Sequence, residues 1–316
     1  MLHVVVGILT NKQSQVLITQ RRSGTHLAGL WEFPGGKLEP GETRMTALSR
    51  ELSEELGVEV THAEPLIRIR HHYLQRDVLL DVWEVNQYQG QAFGREQQPL
   101  KWVFPKDLGS YNLPPANTPI LKALLLPDYY AILDADNQST ANLHNQLRYN
   151  AANQCSLFLL RSKTLDSERY NRLAIDLIQL SIKLQVKLLL NSSVDQVINL
   201  GAAGLHLSTQ AACLLNIRPL ARELLLGVSC HNLSELQIAQ RLDADFALLS
   251  PVQHTQSHPE STPLGWQQFS MLVDQINVPV YALGGLTHSD LIEAKQYGAQ
   301  GLAGISVFQE SVVYST

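Results

Sequence analysis

Apolar positions follow two regimes along the chain, and the pattern changes near residue 127. In the first, His3–Leu9 and Gln15–Gln20 are runs rich in β-branched residues, separated by the polar segment 10–14; this spacing predicts a hairpin. Met45, Leu48, Leu52 and Leu56 recur at helical spacing, which predicts a helix over 43–56 that buries these four and stops at Gly57. Strands are predicted over 66–72, over 78–86 with alternation through Leu80, Val82 and Val85, and over 100–104. Pro114, Pro115, Ala116 and Asn117 open a last helix over 118–126.

Beyond that point, short apolar runs at 129–133, 157–160, 186–190, 204–206, 225–228, 246–249, 280–282 and 301–304 alternate with helical stretches, ending in a short helix over 306–313. Such alternation predicts a (β/α)8 TIM barrel, compact for its class because it spans under 200 residues. Two domains are expected, 1–127 and 128–316, since 316 residues exceed the usual single core.

A hydrophobic fraction of 45% with 17% charged residues suits a soluble globular protein. The net charge of -5 offers no electrostatic case for polymeric nucleic acid, so a small anionic substrate needs local cations or a metal. Cys155, Cys213 and Cys230 form no CxxC pair and read as buried thiols of a reducing compartment. No run approaches 18 apolar residues, and the N-terminus lacks a basic leader with a cleavage site. No membrane span and a cytoplasmic location are expected.

The polar side of the helix over 43–56 changes the picture. Glu51, Glu54 and Glu55 lie one turn apart on one face, and like charges at that spacing repel unless a cation sits among them. Hard oxygen ligands of this kind suit Mg2+ or Mn2+. Gly35 and Gly36 before the helix permit a tight turn that can aim a carbonyl at such an ion.

The stretch GKLEPGETRMTALSRELSEELGV, residues 36–58, resembles the Nudix box in full. That resemblance implies a hydrolase of nucleoside diphosphates linked to a further group, built as an α/β/α sandwich with a mixed sheet. It implies metal ligation by Glu51, Glu54, Glu55 and the Gly35 carbonyl, with Arg50 orienting the carboxylates. Glu96, from the Gly94-Arg95-Glu96 loop, enters as a metal ligand or as the group that orients water. Which of the four glutamates takes the proton stays open.

EFPGG before the box, GREQQPLKWV and LPPANTPI together are similar to the MutT branch, the oxidised-guanine nucleotide pyrophosphatases, over residues 2–126. In that branch the Asn of the PPAN segment, here Asn117, reads the oxidised base, Phe33 lines the purine pocket and Arg22 sits near the nucleotide. The implied substrate is 8-oxo-dGTP and the implied task nucleotide-pool sanitation. From the residues alone, a helix cap is the rival reading of Asn117 and plain core that of Phe33. His71 and His72 lack a third metal ligand nearby and read as strand surface.

LFLLRSK, LLLN, AAGLHLST, LLGVSCHNLSEL, LLSPVQHT, VPVYALGGL and AQGLAGIS resemble the thiamine phosphate synthase/TenI barrels over residues 129–308. The likeness places a candidate ligand site at Arg161, Lys163, Asn191, His231, Gly284, Gly285, Ile305 and Ser306, for a phosphorylated thiazole or pyrimidine. Four positions depart from the family pattern: Ser192 and Ala211 replace metal-binding Asp residues, Ser193 an Arg, and His258 a phosphate-contacting Lys. The expectation is a barrel degenerate as a synthase. His231 matches the proton-transfer His of the TenI-type thiazole tautomerases, with a helix cap as its rival. A Nudix hydrolase of a thiamine-pathway pyrophosphate and a phosphate-binding barrel module are the alternative readings.

Overall fold

A computed structural model of the chain describes residues 1–22, 24, 27–73, 76–136, 138–255, 260 and 262–305. They form two compact units, Met1–Leu125 with Asp274–Asn277, and Leu126–Val273 with Val278–Thr316.

The first unit contains β1 (Leu2–Leu9), β2 (Val16–Gln20), β3 (Trp31–Glu32), β4 (Gly35–Lys37), α1 (Arg44–Leu56), β5 (Glu59–Tyr73), β6 (Arg76–Gln89), β7 (Leu100–Val103) and α2 (Thr118–Leu124). The order β4-β1-β6-β5 makes a mixed sheet in which β1 runs parallel to β6 and antiparallel to β4. A second, antiparallel sheet has the order β3-β2-β7.

The hairpin expected from β1 and β2 is not formed. The two strands touch through a single bridge, Thr10 to Val16, and enter different sheets. The cause is burial on both faces of β1. Val5 and Leu9 pack against Leu48, Leu52 and Leu56 of α1, while Val6 and Ile8 join Phe33, Ile69, Val82 and Ile120 on the other side. A strand covered twice belongs in the middle of a sheet, where β4 and β6 satisfy its backbone. Each fully buried leucine of α1 contributes about 1.5–3 kcal/mol. Gly7 lets α1 approach closely, because a Cβ there would stand 2.8 Å from Leu52 Cδ1.

The second unit is a closed barrel of eight parallel strands in the order β10-β11-β12-β13-β14-β15-β8-β9. These are β8 (Tyr129–Asp134), β9 (Leu157–Arg161), β10 (Lys187–Leu190), β11 (Gly204–Leu207), β12 (Leu225–Cys230), β13 (Phe246–Leu249), β14 (Val280–Leu283) and β15 (Gly301–Gly304). Helices α3 (Thr140–Ala152), α4 (Ser167–Lys183), α5 (Val194–Leu200), α6 (Thr209–Cys213), α7 (Leu233–Arg241), α8 (Gly265–Val273) and α9 (Leu291–Gln296) cover it. Helices as short as the five residues of α6 explain how so little chain completes the barrel. The helix expected over 306–313 lies outside the described residues, as do Ser306 and His258.

Tyr130, His206, Phe246 and Tyr281 fill the barrel centre, with Tyr130 and Phe246 edge-on at 4.9 Å. Cys155 and Cys230 are buried as expected, whereas Cys213 at the end of α6 is exposed. Among the described residues no helix is long and apolar enough to cross a membrane.

Candidate active site

Helix α1 is held at both ends by its own sequence. The Thr43 side chain accepts from the Thr46 N–H at the start, and Gly57 at φ 69° donates its N–H to the Ser53 carbonyl at the end. With Leu48, Leu52 and Leu56 buried, Glu51 and Glu55 are directed towards β4, whereas the Glu54 side chain is 60% exposed.

Arg50 is the organising cation. Its guanidinium donates to both oxygens of Glu42 (2.8 and 3.0 Å), to Glu51 Oε1 (2.9 Å), to Glu54 Oε2 (3.3 Å) and to the Lys37 carbonyl (3.0 Å). The Arg50 hydrogen bonds, helped by the Glu39 N–H, hold the Glu42 carboxyl down at about 2. Glu42 is therefore the main partner of Arg50, a role that helical periodicity could not assign because it precedes the helix.

Gly35 and Gly36 are required by two close approaches. Gly35 has φ 146°, and a Cβ there would lie 2.1 Å from the Val5 carbonyl oxygen; at Gly36 it would lie 2.2 Å from the Glu51 carboxyl carbon. The Gly35 N–H donates to Glu55 Oε2 at 3.1 Å. Gly36→Ala is expected to displace Glu51 and lower hydrolysis by at least about tenfold with little change in Tm. Steady-state rates beside a thermal melt check this.

Burial pushes the Glu55 carboxyl up to about 8; the Gly35 N–H opposes the shift, and the charges of Glu32, Glu51 and Glu96 reinforce it. Its folded pKa thus exceeds its unfolded one, so the folded state binds the extra proton. Metal-free protein should lose stability as pH rises from about 4.5 to about 8. Thermal melts in EDTA are expected to show Glu55→Gln overtaking the wild type at pH 8, by roughly 1–3 kcal/mol. A wild-type advantage at pH 8 would contradict this.

Consecutive residues at the end of β2 divide their tasks, because side chains alternate along a strand. Arg21 pairs with Glu32 and lines the cavity described below. Arg22, the nucleotide-binding candidate from sequence, donates to the Glu96 carboxylate at 2.6 Å and to its carbonyl at 2.8 Å. The Glu96 loop is tied to the last turn of α1: Gln98 Nε2 and the Arg95 N–H both donate to the Glu55 carbonyl, each at 3.0 Å. Glu96 is thereby brought close enough to Glu55 to be felt electrostatically.

A cavity of about 710 Å³ opens beside this cluster, lined among others by Gly35, Glu55, Phe33, Leu80, Asn117 and His71. Phe33 is both core and lining. Asn117 is 7% exposed and precedes α2, yet its side chain makes no capping hydrogen bond. His71, read from sequence as surface, also lines the cavity, while His72 is exposed and pairs with Asp77 at 2.6 Å.

Glu32, Glu42, Glu51, Glu54, Glu55 and Glu96 meet the guanidiniums of Arg21, Arg22 and Arg50. Carboxylates in such excess fit a divalent cation, whose charge would relieve the repulsion that raises Glu55. Among the described residues no three acidic, His or Cys side chains already converge on one point, since Arg50 draws Glu51 and Glu54 to itself.

In the barrel, Arg161, Asn191, His231, Gly284, Gly285 and Ile305 stand at or just beyond the C-terminal ends of β9, β10, β12, β14 and β15. Arg161 is engaged by Asp134 at 2.7 and 3.0 Å, and Asn191 donates to the His206 carbonyl at 2.8 Å. The Lys163 backbone N–H donates to Asp136. Gly284 and Gly285 have φ 105° and 71°, and a Cβ at Gly285 would lie 2.3 Å from the His254 carbonyl oxygen. The cap of α7 is Asn232, not His231, whose Nδ1 lies 3.0 Å from Glu235 Oε2. His206 lies between Tyr130 Oη at 3.2 Å and Ser229 Oγ at 2.9 Å, and burial, with the Arg161 charge, holds it down at about 3, so it is neutral.

Residues 5–123 match the NUDIX domain family, and residues 129–308 match the thiamine monophosphate synthase family. The first part is 37% identical over 123 residues to the 8-oxo-dGTP diphosphatase of Escherichia coli (strain K12), spanning 39% of this chain and 95% of that protein. The second is 33% identical over 185 residues to a putative thiamine-phosphate synthase 2 of Aquifex aeolicus, spanning 58% of this chain and 99% of that protein. The chain belongs to both families: a MutT-like Nudix hydrolase domain precedes a thiamine monophosphate synthase/TenI barrel. The Nudix domain is also 38% identical over 121 residues to the CTP pyrophosphohydrolase of Escherichia coli (strain K12), spanning 38% of this chain and 90% of that protein. Family membership thus makes the Nudix domain a hydrolase, while relatives of similar identity are named for a purine and for a pyrimidine nucleotide.

Proposed function

We propose that the Nudix domain is a nucleoside triphosphate pyrophosphohydrolase that converts 8-oxo-dGTP to 8-oxo-dGMP and pyrophosphate, with Mg2+ or Mn2+ as cofactor. One observation carries the purine reading: Asn117, largely buried and not used as a cap, lines the same cavity as Phe33, Gly35 and Glu55. An amide inside an otherwise largely apolar cavity needs a polar partner. A base edge supplies one.

In this reading Glu51, Glu54, Glu55, Glu96 and the Gly35 carbonyl would hold the cation, which when bound would supply positive charge against that of the phosphates. With Glu51 and Glu54 committed to a cation, Arg50 would keep Glu42 as its partner. Water attacks the β-phosphorus in line, the bond to the α–β bridging oxygen breaks, and the nucleoside monophosphate leaves. The proton of that water passes to a carboxylate of the cluster. Arg22 positions Glu96 and would be available to a phosphate were Glu96 committed to a cation.

Steady-state hydrolysis by the full chain with Mg2+ tests this, comparing 8-oxo-dGTP, dGTP, CTP and thiamine pyrophosphate with the products resolved. The expected result is a preference for 8-oxo-dGTP over dGTP of roughly tenfold or more in kcat/KM, with monophosphate and pyrophosphate as products. A preference for CTP or thiamine pyrophosphate would replace the substrate assignment.

For the barrel we infer a phosphate-ligand module without synthase activity. Ser193 caps α5 in a capping box with Gln196, so the position of the family's Arg is given over to the helix. Asp134 occupies the Arg161 guanidinium. His231 with Glu235 retains the makings of a proton-transfer pair for thiazole tautomerisation. No thiamine phosphate should form from the thiazole phosphate and pyrimidine pyrophosphate substrates; its formation would refute the degenerate reading.

A further inference from the structure

Three rows of cross-strand partners lie along the cavity. Gly35, Val6, Val82 and Ile67 form the first; Lys37, Val4, Leu80 and Ile69 the second; Leu2, Val78 and His71 the third. Rows are two residues apart on every strand, so the third lies about 13 Å from the first. Glu55 is bonded to Gly35, which puts the acidic cluster at the first row and His71 at the far end. That separation is commensurate with the reach of a nucleotide from its β-phosphorus to the outer edge of its base.

The chemistry of the lining is graded in the same direction. Arg21, Glu32, Lys37 and Glu55 supply charged groups; among the described residues the other polar side chains lining the cavity are Asn117 and His71. Leu2, Val4, Leu80 and Val78 make the floor on the way to His71 apolar. An imidazole set at the end of such a floor is a polar group that a base edge can hydrogen-bond, and a base edge left unmet on the apolar floor is penalised.

We infer that His71 is a specificity-determining residue of the Nudix domain, hydrogen-bonding the outer edge of a purine base at the end of the cavity remote from the carboxylates. This rests on the proposed nucleotide-hydrolase reading. A pyrimidine, with the shorter base, does not extend as far along the rows and gains nothing from His71.

The test uses the full chain and three variants, His71→Phe, His71→Asn and His71→Ala, each checked by thermal melt. Rates with 8-oxo-dGTP, dGTP and CTP are measured with Mg2+, together with equilibrium binding of 8-oxo-dGMP. The expected result for His71→Phe is a KM for 8-oxo-dGTP and a Kd for 8-oxo-dGMP raised about 10–100-fold. Its kcat should stay within about threefold and CTP turnover should be unchanged, while His71→Asn recovers part of the loss. A His71→Phe protein that melts normally and keeps wild-type KM, Kd and purine preference overturns the inference and leaves His71 as strand surface. Wild-type preference for CTP marks failure of the substrate reading before any variant is compared. In that case an equal effect of His71→Phe on every nucleotide, or none, overturns this inference too.

Discussion

Glu55→Gln is expected to lower kcat for nucleotide hydrolysis by about 10²–10⁴-fold while the protein remains folded. Glu55 joins three parts of the site at once. Its carboxylate accepts from the Gly35 N–H on the edge strand, its carbonyl accepts from Gln98 and Arg95 in the Glu96 loop, and its charge is felt with those of Glu32, Glu51 and Glu96. The substitution keeps the size and the backbone links and removes only the negative charge. A stability defect therefore cannot explain the loss, and the metal-free variant should be the more stable of the two at pH 8. Increasing Mg2+ should restore little of the rate. Wild-type kcat in this variant would reduce Glu55 to an anchor for Gly35 and move the chemistry to Glu51, Glu54 or Glu96.

The second large effect is expected at Asn117. Asn117→Ala should reduce kcat/KM for 8-oxo-dGTP by about 10–100-fold and bring it towards that for dGTP, because an unpaired hydrogen bond in a dry site costs about 1–3 kcal/mol. The 3-10 turn Pro115–Asn117 holds the residue at the cavity wall, with Ala116 buried beside it. Thermal stability separates the two roles open from sequence. A helix cap lost to alanine costs about 0.5–2 kcal/mol, whereas here the side chain makes no capping hydrogen bond and Tm should barely move. A fall in Tm with unchanged selectivity would make Asn117 structural.

The barrel is closed around a packed interior. Its buried ring cluster and neutral His206 are packing and hydrogen-bonding features of the interior. Of the charged candidates at the strand ends, Arg161 is bound to Asp134 and His231 to Glu235, and the Lys163 backbone N–H joins Ser162 and Thr164 in donating to Asp136. Four hydrogen-bonding groups hold the Asp136 carboxyl at about 2, chiefly the Ser162 hydroxyl. This side chain organises the loop after β9 rather than awaiting a ligand.

Much of the architecture could be read from local pattern. The packed face of α1, its stop at Gly57 and the eight barrel strands depend on periodicities of 3.6 and 2, which neighbouring residues carry among themselves. The spacing of Glu51, Glu54 and Glu55 was visible for the same reason, and so were the two glycines whose missing side chains make room for the Val5 carbonyl at Gly35 and for the Glu51 carboxylate at Gly36. Other features required the folded chain. Double burial sent β1 and β2 to separate sheets. Strand alternation at the end of β2 put Arg21 in the cavity and Arg22 on Glu96. Pairing with Val78 on β6 carried His71 to the cavity's far end. Each of these depends on which distant segment lies alongside, and a residue's own neighbours in sequence hold no record of that. By itself the sequence determined the packed face of α1, the barrel strands and the spacing of Glu51, Glu54 and Glu55, because their causes are local; only the tertiary structure decided which charges pair and which side chains face the cavity beside them, because those outcomes follow from long-range register.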